Sequence, residues 1–212
     1  MSEKVIVFAS GGAEGGGSGF QELVENSRTG VLDAEIVAVV SNHENGGVKK
    51  RAEALGVPFL YFVPSGATGE YAEIVARTGA KWVLLSGWLK RVRGLDSRRT
   101  INIHPGPLPD FGGKGMYGHH VHEAVIAAYG RGEVAASAVS MHFVDDEYDR
   151  GPVFFRYPVL VRPDDTADSL AERVNKIEHG WQSYVSGLVI SGMIAWDGKD
   201  PGSLVVPEGW RF

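Results

Sequence analysis

The chain has 212 residues, of which 43% are hydrophobic and 22% charged, with a formal net charge of −5. That is enough chain for one substantial core and too little for three domains, and the acidic balance argues against a broad nucleic-acid footprint. There is no cysteine, so disulfides and thiolate chemistry are excluded.

Met1-Ser2-Glu3-Lys4 runs directly into a strand-like segment without a charged leader and cleavage site. No apolar run reaches the 18 or so residues that span a bilayer. A cytoplasmic protein without membrane association is expected. Val5-Ile6-Val7-Phe8-Ala9 reads as a strand buried on both faces. A glycine-rich loop, Ser10 to Gly19, follows and leads into a helix at Phe20-Gln21-Glu22-Leu23-Val24. Ser18 and Gln21 have the spacing of a capping box. Strand, glycine loop and helix amino terminus together make an anion site, because free amides and the helix dipole meet there.

Ala34 to Ser41 is a second strand, and Val48 to Leu55 a helix closed by Gly56, with Lys49, Lys50 and Arg51 on its solvated side. Pro58 to Phe62 is a third strand. Glu70 to Thr78 is a helix ended by Gly79, and Lys81 to Gly87 the next strand. Strands alternating with helices argue a doubly wound, mostly parallel α/β sheet.

Thr100-Ile101-Asn102-Ile103-His104 ends in Pro105-Gly106-Pro107-Leu108-Pro109. Alternation along a strand puts Asn102 and His104 on one face, and Pro105 turns the chain outward immediately afterwards. An amide and an imidazole are thereby offered at a strand's carboxyl end, where open α/β sheets bind ligands. Aimed at one carbonyl oxygen, they stabilise a tetrahedral oxyanion. The acidic loop from Val144 to Pro152 is the best source of a carboxylate, which is expected to raise the His104 pKa and keep the ring protonated at neutral pH.

Asp110 to Gly118 is a glycine-rich loop with the composition of a lid. His119-His120-Val121-His122 opens a helix to Tyr129. The three imidazoles lack a carboxylate at usual ligand spacing, so solvent or helix-end roles are expected and no metal. Ala135 to Phe143 is a strand with Val139, Met141 and Phe143 on one side and His142 on the other. Val153 to Val161 is the last full strand. A long helix opens at Asp165-Thr166-Ala167-Asp168 and carries Glu178 and His179. The tail from Ala195 to Phe212 reads as loop with a short strand at Ser203-Leu204-Val205-Val206.

Asn102-Ile103-His104-Pro105 with Leu108-Pro109, then His142-Phe143-Val144 and Asp149-Arg150-Gly151-Pro152, resembles the folate-dependent formyltransferase family. The resemblance runs from about Lys4 to Ser186. It implies a single domain over 1–212, with a core at about 4–188 and a short tail at 193–212, built on a formyltransferase-like variant of the Rossmann sheet. It implies transfer of the formyl group of 10-formyltetrahydrofolate, a donor co-substrate, to the amine of 5-phosphoribosylglycinamide in purine biosynthesis. The implied partners are these two small molecules, with the chain a monomer or weak homodimer.

By the same resemblance, Asn102, His104 and Asp149 are catalytic. Leu89, Lys90, Arg91, Val92 and Asn102 face the folate, and Glu178 meets the ribose hydroxyls. The substrate phosphate falls at Gly17, Ser18 and Gly19, where the family has Gly-Ser-Asn; here Gly19 holds the Asn position and the preceding loop is longer. The family's folate-contacting arginine has no counterpart between Pro58 and Glu70. The alternatives are formyl transfer to a sugar-nucleotide amine, formyltetrahydrofolate hydrolysis on the same core, or a nucleotide-binding module without catalysis.

Overall fold

A computed structural model describes residues 2–210. The ends of the expected 1–212 domain, residues 1, 211 and 212, lie outside the described residues. The strands are β1 (Glu3–Phe8), β2 (Ala34–Ser41), β3 (Phe59–Tyr61), β4 (Trp82–Ser86), β5 (Thr100–His104), β6 (Ala136–Phe143) and β7 (Val153–Leu160). The helices are α1 (Ser18–Thr29), α2 (Gly47–Leu55), α3 (Glu70–Thr78), α4 (His119–Gly130) and α5 (Ala167–Ile190). One seven-stranded sheet has the order β3-β2-β1-β4-β5-β6-β7. The pairings among β1 to β5 are parallel, and β5–β6 and β6–β7 are antiparallel.

Side-chain alternation along β1 divides the core in two. Val5 and Val7 join α1, α2, α4 and α5 in the larger apolar cluster. Ile6 and Phe8 face the other way, onto Tyr71 and Ile74 of α3 and onto Trp88. Phe8, Phe20, Phe143 and Phe154 are fully buried, each stabilising the fold by roughly 1.5–3 kcal/mol. The chain leaves β1 toward β2 on one side of the sheet, and β4 lies on the other side of β1. The strand order reverses there, and the crevice at the carboxyl ends of these strands is where such sheets take ligands.

Three local expectations are corrected. Ser18 and Gln21 form no capping box. The N-cap is Gly17, in the left-handed conformation at φ 79°, and the Gln21 side chain donates to Glu25 at 2.7 Å and accepts from Arg51. The capping box lies instead at α5, where Thr166 and Ser169 exchange both bonds. In the tail, the short strand reduces to a bridge between Ala195 and Val205, after a turn of 3-10 helix at Pro201–Ser203. Arg51 is half-buried rather than free on a solvated face, with Nε donating to the Gly16 carbonyl at 3.0 Å.

Candidate active site

β5 ends as its residues require. Ile101 and Ile103 enter the larger core, and Asn102 and His104 take the opposite face. In the antiparallel pairing with β6, Asn102 lies opposite His142 and His104 opposite Ser140. Ser140 fixes the turn that follows β5: its Oγ donates to the Gly106 carbonyl at 2.7 Å and accepts from the Leu108 N–H at 3.3 Å. Strand pairing and turn thus leave Asn102 and His104 little freedom.

Asp149 arrives from the β6–β7 loop. It is a non-glycine residue at positive φ, 52°, a conformation that Asp and Asn tolerate better than most side chains. Its Oδ2 accepts the Gly113 N–H at 2.9 Å and lies 3.9 Å from His104 Nδ1. Its Oδ1 lies 3.4 Å from His142 Nε2. The Asn102 Nδ2 donates to His142 Nε2 at 3.0 Å. Asn102, His104 and Asp149, expected together from the sequence, are therefore brought together, with His142 between the amide and the carboxylate.

The protons can be placed. A carbonyl only accepts, so the 2.7 Å contact from His104 Nε2 to the Phe111 carbonyl puts a proton on Nε2. By the same argument His142 Nδ1, 2.7 Å from the Phe143 carbonyl, carries a proton. Burial would raise the Asp149 carboxyl, but His142, His104 and the Gly113 N–H outweigh it and hold the group below the ordinary carboxylate range. For His104 the expected balance is reversed. Burial pushes the imidazole below its ordinary value, and the opposing pull of Asp149 and the Phe111 carbonyl does not make up the difference. The expectation of a ring held protonated at neutral pH is corrected: His104 is neutral in the free protein, and Asp149 is ionised.

These groups line a cavity of about 910 Å³. Gly17, Ser18 and Gly19 at the start of α1, Leu89 and Lys90 after β4, Gly113 to Gly118, and Glu178 on α5 share its wall. Arg91 and Val92 line a smaller adjoining cleft of about 40 Å³, which Asn102 and Asp149 also border. Arg91 gives two bonds, at 3.0 and 2.7 Å, to the Asp146 carbonyl and lies over the Tyr148 ring. Burial pushes the Glu178 carboxyl up to about 7, against one weak bond from Asn175 at 3.5 Å. Among the described residues, no group of three or more His, Asp or Glu side chains is placed to hold a metal ion, and no helix is long and apolar enough to cross a membrane.

Sequence reading named Glu178 but missed Asn175, His179 and Gln182, which line the cavity with it. Asn175, Glu178, His179 and Gln182 fall at i, i+3, i+4 and i+7, one face of a helix, and all four line the cavity. That spacing around Glu178 was the available signal. Solvent or helix-end roles were expected for His119, His120 and His122. His119 and His120 meet solvent, but His122 is 5% exposed and lines the cavity, and its Nδ1 has no partner among the described residues. Its spacing to Val125 and Ala128 on the buried face of α4 was the signal for it.

Burial lowers the His122 pKa to about 4, helped by His119 and His104. In the unfolded chain it returns to about 6.5. Below that value the unfolded state binds the extra proton, so the stability tied to a neutral His122 is present above about pH 6.5 and lost as pH falls toward 4. Thermal unfolding measured from pH 7 to 4 is expected to show a falling Tm whose slope is reduced in His122→Phe. An unchanged slope would mean that other groups carry the dependence.

Comparison with known proteins follows the same lines. Residues 3–186 match the family described as formyl transferase. A chloroplastic phosphoribosylglycinamide formyltransferase of Arabidopsis thaliana is 35% identical over 92% of this chain and 68% of that protein. A Bacillus subtilis phosphoribosylglycinamide formyltransferase is 28% identical over 86% of this chain and 92% of that one. The crystal structure of glycinamide ribonucleotide transformylase 1 from Symbiobacterium toebii superposes with a TM-score of 0.80 at 25% identity, covering 98% of this chain and 95% of that one. The family match begins in β1 and ends within α5, so it takes in every element that supplies a side chain to the cavity. The chain belongs to the formyl transferase family.

Proposed function

We propose that the chain transfers the formyl group of 10-formyltetrahydrofolate to the amine of 5-phosphoribosylglycinamide. The observation that carries this reading is the convergence of Asn102, His104 and Asp149 at the carboxyl end of β5. The names of the Arabidopsis and Bacillus relatives support the choice of acceptor. In this reading the folate lies against Leu89, Lys90, Arg91 and Val92 with its formyl group at Asn102. The phosphate meets the free amides of Gly17, Ser18 and Gly19, and Glu178 accepts from the ribose hydroxyls.

The acceptor amine attacks the formyl carbon, and negative charge develops on the formyl oxygen. Asn102, half-exposed at the cavity wall, donates to that oxygen. His104 is neutral until then. An adjacent oxyanion adds to the pull of Asp149 and favours the charged ring, so the imidazole gains its charge as the transition state forms. Asp149, ionised and beside both imidazoles, takes part in moving the proton that the amine loses. The proton that the amine loses, held on the His104 ring in the intermediate, passes to the folate nitrogen as its bond to the formyl carbon breaks, leaving formylated acceptor, tetrahydrofolate and a neutral ring.

A formyl-transfer assay with phosphoribosylglycinamide, a sugar-nucleotide amine and water as competing acceptors tests the reading. Turnover with phosphoribosylglycinamide is expected to dominate. Preference for the sugar-nucleotide amine, or hydrolysis alone, would replace the proposed acceptor. Absence of folate binding by calorimetry would remove the enzymatic reading altogether.

A further inference from the structure

β5, β6 and β7 set three side chains in one row. His104 pairs with Ser140, and Ser140 with Arg156, and directly opposed residues share a face of the sheet. The turn that follows β5 lies across this row. Gly106 sits on the imidazole: a Cβ built there would come 3.2 Å from His104 Nε2. Leu108 is 1% exposed, and a Cβ built on Gly112 would overlap its Cδ2 and stand 3.1 Å from Asp149 Cβ. The turn therefore packs on His104 at one place and on Asp149 at another. It also bonds to both, through the Phe111 carbonyl at 2.7 Å and the Gly113 N–H at 2.9 Å. The Phe111 N–H donates back to the Pro107 carbonyl at 3.0 Å, which ties the segment to itself.

Arg156 is the member of the row that the core does not account for. It is half-buried. One nitrogen, Nη2, donates to the Leu108 carbonyl. Its Nε is buried and has no partner among the described residues. A buried donor left open weakens a fold, so the placement of this side chain calls for a reason other than stability. An apolar side chain of the same length would fill the space and leave no donor open. What the guanidinium adds is its hold on Leu108. Ser140 Oγ takes the Leu108 N–H from β6, so both backbone groups of this one residue are held by side chains, from two different strands.

We propose that Arg156 is a positioning residue for formyl transfer: with Ser140 it clamps the turn from Gly106 to Gly113, and through that turn it holds the His104 ring and the Asp149 carboxylate in place. The inference rests on the activity proposed above and adds a residue to it from β7, beyond the groups that touch the formyl carbon. The clamp also keeps water from the imidazole. Burial is what makes His104 neutral in the free protein, and the Phe111 carbonyl works in the opposite direction but more weakly than burial. Release of the turn loses both, so the His104 pKa rises back toward the ordinary imidazole value. The other titratable groups around the ring are Asp149, His142 and His122, and substitution of Arg156 leaves all three present.

The test compares Arg156→Met, which keeps the length of the side chain without a donor, with Arg156→Lys, which keeps a donor. Two readouts are taken on the full chain. One is transfer kinetics. The other is the titration of His104, followed by nuclear magnetic resonance of nitrogen-labelled histidine without substrate, its signals identified by their loss in His104→Asn. Arg156→Met is expected to lower kcat by about 10- to 100-fold, the scale set by a small misplacement of reacting groups, with KM for both substrates little changed. Its His104 midpoint is expected to move up. Arg156→Lys is expected to recover most of kcat and to bring the midpoint back toward the wild-type position. Should Arg156→Met fail to fold, Arg156→Gln, polar but shorter, takes its place with the same expectations. A lower Tm with kcat and the His104 midpoint both unchanged would make Arg156 a structural residue only and overturn the proposal. A raised midpoint in a chain that transfers no formyl group would overturn the proposed activity and leave the clamp standing. Wild-type transfer and an unmoved midpoint in the donor-free variant would do the reverse.

Discussion

Asp149→Asn is expected to lower kcat by about 100- to 1000-fold with the fold intact, and Asn102→Ala to do the same; a preorganised donor or charge at a developing oxyanion is worth about that much. The two substitutions act on different atoms. Asn102→Ala removes the amide that donates to His142 Nε2 and faces the cavity. Asp149→Asn keeps the volume and suits the left-handed backbone at φ 52°, so the loop has no steric reason to move. It removes the negative charge 3.9 Å from His104 Nδ1. His104 is already pushed below its ordinary pKa by burial, with Asp149 the largest opposing influence. Without that carboxylate the ring cannot gain its charge as the oxyanion forms. The rate–pH profile is a second readout: the limb due to the ionised carboxylate should disappear in Asp149→Asn. Turnover within a few-fold of the wild type, with an unchanged profile, would take Asp149 out of the chemistry.

Those predictions draw on features of very different visibility in the sequence. The sheet was legible because β1, β2 and β4 are continuous apolar runs separated by helical spacing, and because glycines follow α2 and α3. That Asn102 and His104 share a face follows from strand geometry alone. Asp149 was legible through the family resemblance, since nothing local separates it from Asp145 or Asp146. The charge state of His104 was not legible. It depends on burial to 3% exposure beneath the turn after β5, a tertiary property that outweighs the nearby carboxylate. The contact between Ser18 and His179 spans 161 positions and leaves no trace in local pattern. The failed capping box at Ser18 has a similar origin, because the long glycine loop delivers Gly17 in a left-handed conformation and Gln21 finds Arg51 instead.

Gly151→Ala is expected to cost as much activity as Asp149→Asn, by a different route. The backbone of residue 151 is not in the left-handed region, so alanine is not excluded by its own dihedral angles. The obstacle is the neighbouring chain. A Cβ built on Gly151 overlaps the Phe143 carbonyl oxygen and lies 2.7 Å from its carbon and 3.4 Å from Val144 N. All three are backbone atoms at the end of β6 and cannot rotate aside. Phe143 N–H also donates to the Pro152 carbonyl at 3.1 Å, and Val144 N–H to the Thr100 carbonyl at 2.9 Å, so relief on one side strains a bond on the other. The loop must open, and it carries Asp149 two residues upstream, while His142 precedes the pinned carbonyl by one. Overpacking of this kind costs about 3 kcal/mol, which in a chain of this size lowers Tm by roughly 6–12 °C. Gly130→Ala is the control: its Cβ meets nothing within 4 Å at the end of α4, and alanine favours a helix. It should keep Tm and kcat at or above the starting values. Wild-type Tm and kcat in Gly151→Ala would show that the β6–β7 loop has slack to spare, and that the position of Asp149 does not depend on close backbone contact at residue 151.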